Sequence, residues 1–422
     1  MKNNLNYLVN YRQNSTNEQN QKINLPSSKS EANRMLIIKA LTTNGSTTIN
    51  NLSSARDTQT LSRLLGSIDQ SNTELDVLDA GTTMRFLTAF LAITTQKQIV
   101  ITGTQRMKQR PIGILVEALR SIGCQINYLE KEGYPPLSIN PFKEQTNQEI
   151  SIPGNVSSQY ISALLMVAPL LPKGLAINIL APIYSQPYID MTIGLMAKAG
   201  IKVEKLGSAL RIENQEYKAI EHTIESDWSG ASYWFSFIAL SKIGRSIKLL
   251  GLKEDSLQGD QAIRPIMQKL GVQSTYDQEG IILIKNNNEL PEWLEIDFKE
   301  FPDLAQTVVA CCAALKVNLK MTGLESLRIK ETDRIKALHN EISKFNCSLT
   351  ESSKGVWEMK AKEFSFTELI NIHTYEDHRM AMSFAPLALK GPLLIDEIDV
   401  VNKSYPSFWT DLKSVGFELT EQ

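Results

Sequence analysis

Polar and charged residues stand directly before six apolar helical segments of the 422-residue sequence. These starts are Ser27-Ser28-Lys29-Ser30, Ala80-Gly81-Thr82-Thr83, Ser157-Ser158-Gln159, Ser229-Gly230, Asp303 and Asp377-His378-Arg379. A helix N-terminus presents free N–H groups and the positive end of the helix dipole, so it binds anions. Ser, Thr and Asp are also ordinary N-caps, and capping alone would explain any one of these starts. Six starts that also carry lysine, arginine and glutamine side chains favour anion binding.

Further cations lie in the loops that precede amphipathic helical segments. Arg110 lies in RMKQRPIG, before a proline that suits a first helical turn. Lys330 and Arg334 lie in RIKETDRIKAL, where Glu331 and Arg334 would share one side of a helix. Lys403 lies in VVNKSYPSF. The loops and helix starts together predict a cleft lined by cations, suited to a small polyanion with phosphate and carboxylate groups.

Several other chemistries lack their usual sequence signals. The chain has no Walker A loop, no G-x-G-x-x-G fingerprint and no G-x-S-x-G motif. Its four histidines and four cysteines show no zinc-site spacing, so we expect no metal and no tightly bound cofactor. The 44 Lys and Arg residues nearly balance the 46 Asp and Glu residues, which leaves no basic excess for binding nucleic acid.

The sequence also indicates in which cellular compartment the protein is expected. The four cysteines lack the spacing of a disulfide framework, which favours a reducing environment. The longest apolar stretches fall short of the roughly 20 residues that span a bilayer. The first residues are rich in Asn and Gln and lack the apolar segment of a signal peptide. We therefore expect a cytoplasmic protein that has no membrane partner.

The elements that must position these residues follow a pattern that recurs six times, at intervals of about 70 residues. Each unit has a helix that is apolar nearly all round, a strand, a loop, an amphipathic helix and a further strand. A helix without a polar stripe must be buried on all sides. We expect a left-handed residue to end each amphipathic helix; the candidates are Gly66, Gly123, Gly200, Gly271, Asn346 and Gly416.

Six such units exceed one hydrophobic core, so we expect two lobes of three units each. The polar segment IENQEYKAIEHTIESDW, between the third and fourth units, marks the expected crossing from one lobe to the other. A generic α/β solenoid is the alternative. The uneven spacing of the units and their fully buried helices favour two lobes.

Ten segments of the chain resemble, in order, the motifs of the 5-enolpyruvylshikimate-3-phosphate synthase family of enolpyruvyl transferases. The segments are LPSSKSEANR, DAGTTMRF, RMKQRPIG, SSQY, SQPYID, LQGD, FPDLAQT, RIKETDR, DHRMAM and NKSYPSF. The resemblance covers essentially the whole chain. It implies an α/β fold of two lobes, each made of three βαβαββ units around a pseudo-threefold axis, in an inside-out barrel. It also implies an N-terminal lobe of residues 27–224 and a C-terminal lobe of residues 1–26 plus 225–422.

The resemblance implies a reaction as well. Members of this family transfer the enolpyruvyl group of phosphoenolpyruvate to the 5-hydroxyl of shikimate 3-phosphate and release phosphate. The reaction belongs to the shikimate pathway, which leads to chorismate and the aromatic amino acids, and it needs no metal. The resemblance further implies a monomer, small-molecule substrates as the only partners, and competition between glyphosate and phosphoenolpyruvate.

Matching the motifs residue by residue implies three overlapping sets of site residues. Asp303 resembles the base for the 5-hydroxyl and Glu331 resembles the acid and base at the vinyl carbon; Lys29, Lys403 and His378 complete the catalytic set. The shikimate 3-phosphate set is Lys29, Ser30, Arg34, Ser157, Ser158, Gln159, Ser185, Tyr188, Asp303, Ser326 and Lys330. The phosphoenolpyruvate set is Lys29, Gly81, Thr82, Arg110, Gln159, Arg334, Arg379 and Lys403.

The chain departs from the family pattern at four positions. Ser326 stands where many relatives have Asn, and Phe86 replaces a frequent Pro after the Met-Arg pair. Asp79 and Ser28 stand in place of Asn and Gly. None of the four belongs to the acid and base pair.

Two other functions fit the sequence less well. The sister transferase that acts on UDP-N-acetylglucosamine carries a reactive Cys in the loop that matches Gln105 to Arg110, where this chain has QRMKQR. Its nearest cysteine, Cys124, lies beyond the next helix. A nucleic-acid-binding or RNA-end-processing protein on related repeats would need a basic face with interleaved aromatic residues. The net charge of −2 and the scattered cations disfavour that function.

Overall fold

The computed structural model of this chain describes residues 5–12, 21–68, 72–366 and 368–422. Its residues divide into two compact units. The N-terminal unit is Lys29–Ile224, and the C-terminal unit is the described part of Met1–Ser28 together with Glu225–Gln422. The apolar runs of the sequence form short strands and buried helices in both units.

The first change of unit falls after Ser28, two residues later than the resemblance implied. Hydrogen bonds explain the difference. The Ser28 amide donates to the Glu225 carbonyl over 2.8 Å, and Ser27 forms an isolated antiparallel bridge with Ser226. The backbone therefore ties both serines to the C-terminal unit.

Within the described ranges the backbone forms 22 strands and 13 α-helices. The strands are β1 (Tyr7–Tyr11), β2 (Gln21–Asn24), β3 (Thr48–Asn50), β4 (Glu74–Asp76), β5 (Ile99–Thr102), β6 (Ile126–Tyr128), β7 (Leu137–Ile139), β8 (Glu149–Pro153), β9 (Leu175–Leu180), β10 (Val203–Leu206), β11 (Ala209–Ile212), β12 (Glu221–Thr223), β13 (Ser246–Leu250), β14 (Val272–Tyr276), β15 (Gly280–Lys285), β16 (Trp293–Asp297), β17 (Asn318–Thr322), β18 (Ser348–Ser353), β19 (Val356–Lys360), β20 (Ile370–Ile372), β21 (Leu393–Ile395) and β22 (Phe417–Glu421). The helices are α1 (Lys29–Leu41), α2 (Arg56–Leu65), α3 (Gly81–Thr94), α4 (Gln105–Lys108), α5 (Gly113–Ser121), α6 (Ser158–Val167), α7 (Gln186–Lys198), α8 (Trp228–Leu240), α9 (Ile263–Gln268), α10 (Ala305–Ala314), α11 (Arg334–Ser343), α12 (His378–Phe384) and α13 (Phe408–Ser414). None of these helices is both long enough and apolar enough to cross a membrane.

Five four-stranded sheets share one pattern, in which the first two strands are parallel and the next two join them in antiparallel fashion. They are β4-β5-β7-β6 and β8-β9-β11-β10 in the N-terminal unit, and β2-β13-β15-β14, β16-β17-β19-β18 and β20-β21-β1-β22 in the C-terminal unit. The sixth sheet pairs β12 with β3 in parallel, within the part of the chain that the structure describes. Six sheets, three to a unit, confirm the predicted sixfold repeat and mixed α/β class.

The six apolar segments form α1, α3, α6, α8, α10 and α12, and most of their residues are buried. This confirms the prediction that helices without a polar stripe lie inside each unit. In the C-terminal unit three of them meet through hydroxyl groups. Ser232 Oγ of α8 lies 3.0 Å from Thr307 Oγ1 of α10, which lies 3.3 Å from Ser383 Oγ of α12. These contacts fix the three helices relative to one another.

The expected left-handed residues occur after five of the six amphipathic helices. Gly123, Gly200, Gly271, Asn346 and Gly416 all have positive φ angles. The prediction for Gly66 is wrong, because its φ is −72°. Its amide still donates to the Ser62 carbonyl over 3.2 Å, so α2 runs on into a right-handed turn.

Candidate active site

The N-terminal unit holds the first cluster of predicted site residues, beginning with Lys29 at the start of α1. The Lys29 ammonium donates to Asp57 Oδ2 over 3.2 Å. Asp57 lies in the first turn of α2 and is buried, and its Oδ1 atom has no hydrogen-bond partner among the described residues. A buried carboxylate needs a compensating charge. Lys29 supplies it, so this pair fixes the lysine at the helix start.

Arg34 lies one turn further along α1 and is only 2% exposed. Its guanidinium donates to Thr192 Oγ1 over 2.7 Å, to Ser162 Oγ over 3.1 Å and to the carbonyls of Ser30 and Tyr188. Burial lowers its pKa to about 10. This arginine therefore ties α1 to α6 and α7.

The Phe86 side chain of α3 is buried, with its ring 5.4 Å from the Arg34 guanidinium carbon. Such stacking is favourable when the cation is desolvated. The Phe that departs from the family pattern thus packs under a buried arginine, five residues past the start of its helix.

Gly81 begins α3, and the guanidinium of Arg110 lies directly against it. A Cβ atom on Gly81 would stand 2.6 Å from Arg110 Nη1 and 2.8 Å from Arg85 Nη1. Arg85 donates to the Gly81 carbonyl over 2.9 Å and to the Pro111 carbonyl over 3.3 Å. Arg85 thus holds both the helix start and the loop beside Arg110, and the glycine is required for this approach of the two guanidinium groups.

The start of α6 is joined to α3 through Gln159. The Gln159 amide donates to Thr82 Oγ1 over 3.0 Å, and the Ser157 hydroxyl caps α6 by accepting from the Gln159 backbone N–H. Ser158 is buried beside them. The structure therefore places these serines and Gln159 at one helix N-terminus, where an anion is favoured.

Ser185 and Tyr188 lie where the chain enters α7. Ser185 directly precedes α7 and has a φ of 57°, in the left-handed region, which is uncommon for a residue other than glycine. The Tyr188 ring lies 6.0 Å from the Arg34 guanidinium carbon. Backbone strain of this kind is typical of binding sites.

The C-terminal unit holds the second cluster, centred on Asp303 in a short 3-10 turn before α10. Arg334 Nη1 lies 3.0 Å and Lys330 Nζ 3.6 Å from Asp303 Oδ1, while Arg379 Nη2 lies 2.9 Å from Oδ2. Burial by itself would raise the pKa of Asp303, but these three cations outweigh it and hold the pKa well below its ordinary value. Asp303 is therefore a carboxylate at neutral pH.

Arg334, the first residue of α11, contacts three carboxylates. Its Nη2 donates to Glu331 Oε2 over 2.8 Å, and its Nε donates to Asp377 Oδ2 over 2.7 Å, besides the contact with Asp303. Burial alone would lower the pKa of Arg334, but the carboxylates raise it above its ordinary value. One guanidinium thus spans the two carboxylates to which the sequence assigned opposite roles in proton transfer.

Three further predicted residues belong to the same unit. His378 is buried at the start of α12, with Nδ1 3.7 Å from Asp377 Oδ1. Lys403 is buried at the end of a 3-10 turn, Ile398–Lys403. Ser326 lies in the 3-10 turn Glu325–Ile329, and its Oγ atom is buried with no hydrogen-bond partner in the described ranges.

Contacts join most of the predicted residues into two clusters, one in each unit, and Ser326 and Lys403 lie in the same unit as the second cluster. The structure also reveals three partners that the predicted catalytic and substrate-binding sets do not contain, namely Asp57, Arg85 and Asp377. Arg85 and Asp377 lie within the quoted motifs DAGTTMRF and DHRMAM, so their motif positions were a usable signal. Asp57 had only a weak signal, an acidic residue in the first turn of an amphipathic helix. No group of three or more His, Cys, Asp or Glu residues in the described ranges has a metal-site arrangement.

The fold and the two clusters define a class of protein: a two-unit α/β enzyme of six repeats, whose helix starts carry cations and paired carboxylates suited to a small polyanionic substrate. A sequence model of the family described as EPSP synthase (3-phosphoshikimate 1-carboxyvinyltransferase) matches residues 14–78 and 60–412. The chain belongs to this family.

Curated relatives agree with that membership, and a solved structure shares the fold. The chain is 46% identical over 399 residues to a 3-phosphoshikimate 1-carboxyvinyltransferase of Bacteroides fragilis (strain YCH46), covering 94% of this chain and 95% of the relative. It is 34% identical over 421 residues to the protein of that name from Cronobacter sakazakii, covering 93% and 96%. A solved structure of EPSP synthase from Acinetobacter baumannii has the same fold, with a TM-score of 0.80, 19% identity and coverage of 99% of this chain and 100% of that one.

Proposed function

We propose that this chain transfers the enolpyruvyl group of phosphoenolpyruvate to the 5-hydroxyl of shikimate 3-phosphate, with release of phosphate. One observation carries the proposal. Asp303 and Glu331 lie on either side of the Arg334 guanidinium, at 3.0 and 2.8 Å. Such an arrangement supplies a base and an acid next to cations that bind anionic substrates.

The chemistry needs both carboxylates. The methylene carbon of phosphoenolpyruvate must gain a proton before its neighbouring carbon is electrophilic, and Glu331 in its acid form donates that proton. Asp303 accepts the proton of the 5-hydroxyl as the oxygen bonds to the cationic carbon. The resulting tetrahedral phospho-ketal returns a proton from its methyl group to Glu331 as the carbon–oxygen bond to phosphate breaks, and the departing phosphate takes up the proton that Asp303 accepted. General acid and base groups of this kind typically each contribute about 10²–10⁴-fold to the rate.

The ion pairs of Asp303 have a consequence for its strength as a base. While Arg334 and Arg379 contact it, the pKa of Asp303 is lowered and the carboxylate is a weak proton acceptor. An anionic substrate competes with Asp303 for the same guanidinium groups. Substrate binding is therefore expected to raise the pKa of Asp303 toward its ordinary value and to activate it as a base.

The remaining residues are proposed to bind and orient the two substrates. For shikimate 3-phosphate these are Lys29, Ser30, Arg34, Ser157, Ser158, Gln159, Ser185, Tyr188, Ser326 and Lys330. For phosphoenolpyruvate these are Lys29, Gly81, Thr82, Arg110, Gln159, Arg334, Arg379 and Lys403; His378 and Lys403 are proposed to assist the proton transfers. Two polyanions repel each other in the absence of compensating cations, and fixed cations also orient the reacting groups.

The working form of the enzyme is also part of the proposal. We propose a cytoplasmic monomer that uses no metal and no cofactor and binds no nucleic acid. All four cysteines are unpaired and buried, which supports a reducing compartment. Light scattering of the purified protein tests the monomer, and turnover in the presence of a chelator tests the independence from metals.

The alternative acceptor, UDP-N-acetylglucosamine, is disfavoured by the cysteine chemistry. Burial raises the pKa of Cys124 to about 12, so its thiol is a poor nucleophile at neutral pH.

The test is release of phosphate from phosphoenolpyruvate in the presence of either shikimate 3-phosphate or UDP-N-acetylglucosamine. We expect release with shikimate 3-phosphate alone. Release only with the nucleotide sugar, or with neither acceptor, would refute the proposed function.

A further inference from the structure

The first turn of α2 contacts two neighbouring elements through two consecutive residues of opposite charge. Asp57 pairs with Lys29 at the start of α1, as described above. Arg56 pairs with Asp79, in the loop that leads into α3, through a 2.9 Å contact from Nη2 to Oδ2. The Thr83 hydroxyl of α3 also donates to the Asp57 carbonyl over 3.2 Å. One helical turn therefore fixes the starts of both α1 and α3.

The position of Asp79 is unfavourable for a site that binds an anion. Asp79 precedes Gly81 by two residues, and Gly81 begins α3 against the Arg110 guanidinium. A carboxylate at this place opposes the positive helix end and the cation that attract an anionic substrate. In the described structure, the Arg56 guanidinium lies within salt-bridge distance of the Asp79 carboxylate.

The solvent exposure of Arg56 and Asp79 determines how strongly their charges act on each other and on a bound substrate. The side chains of Arg56 and Asp79 are 47% and 30% exposed, so water and salt screen their charges in part. Their mutual attraction contributes little to folding stability, as is usual for exposed ion pairs. The same screening weakens their effect on the substrate, but that effect grows with the charge of the substrate, which carries several negative charges.

We propose that Arg56 is a positioning residue for the enolpyruvyl donor: it neutralises Asp79 and keeps the start of α3 attractive to the phosphate and carboxylate groups of the substrate. This inference rests on the proposed function and adds a positioning residue to it. The departure from the family pattern at Asp79 agrees with this role of Arg56, because Asp79 stands in place of an uncharged Asn. A charge introduced at this position is compensated by Arg56 within the same unit.

The experiment is a double-mutant cycle on the full-length enzyme, read as KM for phosphoenolpyruvate and as kcat. The variants are Arg56→Gln, Arg56→Lys, Asp79→Asn and the double variant Arg56→Gln with Asp79→Asn. We expect Arg56→Gln to raise KM about three- to tenfold with kcat nearly unchanged, because only charge beside the binding site changes. Arg56→Lys should retain most of the affinity, and the increase in KM should shrink at high salt.

The double variant shows whether Arg56 acts through Asp79 or independently of it. If Arg56 acts by neutralising Asp79, removing both charges returns KM to within about twofold of the wild-type value, although Arg56→Gln alone raises it. The matched control is Lys202→Gln, which removes an exposed ion pair with Glu204 of the same unit and should leave KM unchanged.

Two results would overturn the inference. One is an equal rise in KM for Arg56→Gln in the wild-type background and in the Asp79→Asn background, which would mean that Arg56 acts independently of Asp79. The other is a wild-type KM in Arg56→Gln. Wild-type turnover of phosphoenolpyruvate with shikimate 3-phosphate is measured first, and its absence would overturn the proposed function and this inference with it. Failure of the inference alone leaves that turnover intact.

Discussion

Replacing Gly81 by Ala tests the geometry of the start of α3 most sharply. The new methyl carbon would stand 2.6 Å from Arg110 Nη1 and 2.9 Å from its Cζ, whereas non-bonded heavy atoms prefer about 3.5 Å or more. The guanidinium must therefore retreat by about 1 Å. A side chain forced off its preferred rotamer by such a shift costs about 0.5–1.5 kcal/mol, which is a factor of roughly 2 to 12 in affinity.

Phosphoenolpyruvate and glyphosate should respond differently to this displacement of Arg110. We expect the KM for phosphoenolpyruvate to rise about three- to tenfold in Gly81→Ala, because Arg110 still reaches the substrate from a displaced position. Glyphosate carries a phosphonate, a carboxylate and an ammonium group, and it should compete with phosphoenolpyruvate for the same cations. It is slightly longer than phosphoenolpyruvate, so the methyl group should weaken its inhibition more than it weakens substrate binding.

The assay varies phosphoenolpyruvate at several fixed glyphosate concentrations in the wild type and in Gly81→Ala. Gly66→Ala is the matched control, because its new methyl group would meet no atom closer than 3.7 Å and its φ is −72°. Inhibition that does not weaken as phosphoenolpyruvate rises would refute the shared site. An unchanged response of Gly81→Ala to both ligands would refute the packing of Arg110 against this glycine.

Three further predictions concern the carboxylates. Asp303→Asn and Glu331→Gln should each keep both substrates bound in calorimetry while kcat falls by about two orders of magnitude or more, because each removes one proton transfer. Asp57→Asn should lower kcat/KM about tenfold in steady-state kinetics, because Lys29 loses the charge that fixes its position. The lowered pKa of Asp303 contributes stability above its unfolded pKa of about 3.9, and this contribution is lost as the pH falls. In urea titrations below about pH 5, the free energy of unfolding of the wild type should therefore decline more steeply than that of Asp303→Asn.

Each of these three expectations has a contrary outcome. Near-wild-type turnover in both Asp303→Asn and Glu331→Gln would contradict their roles in proton transfer. Full activity of Asp57→Asn would mean that Lys29 keeps its position without the ion pair. Parallel pH profiles of stability for the wild type and Asp303→Asn would mean that the three cations do not hold this carboxylate ionised.

Much of the fold could be predicted because it depends on local patterns. A helix that is apolar on every face has no solvent-exposed orientation, so α3 and α8 had to be buried. A glycine after an amphipathic helix provides the left-handed residue at no steric cost, as at Gly123 and Gly200. Gly66 shows the limit of that rule, since glycine permits the left-handed conformation but does not require it.

The contacts within the site could be predicted less well, because they join residues far apart in sequence. Asp57 lies 28 residues from Lys29, and Arg56 lies 23 residues from Asp79. Only the packing of α2 against its neighbours selects those partners among many charged residues. The burial of Arg34 was equally invisible, because an arginine in a helix is ordinarily exposed and nothing local reveals the side chains of α6 and α7 around it.

The identity of the product formed in heavy water tests the proposed enolpyruvyl transfer most directly. Phosphoenolpyruvate and shikimate 3-phosphate are incubated with the wild-type enzyme in D₂O, and the mixture is followed by proton and phosphorus NMR. We expect a new enol ether on the 5-oxygen of shikimate 3-phosphate, one equivalent of inorganic phosphate, and deuterium in the methylene group, because a solvent-derived proton is added there and one is then removed. An unaltered shikimate 3-phosphate with pyruvate as the product, or an enol ether without deuterium in its methylene group, would contradict the proposed transfer.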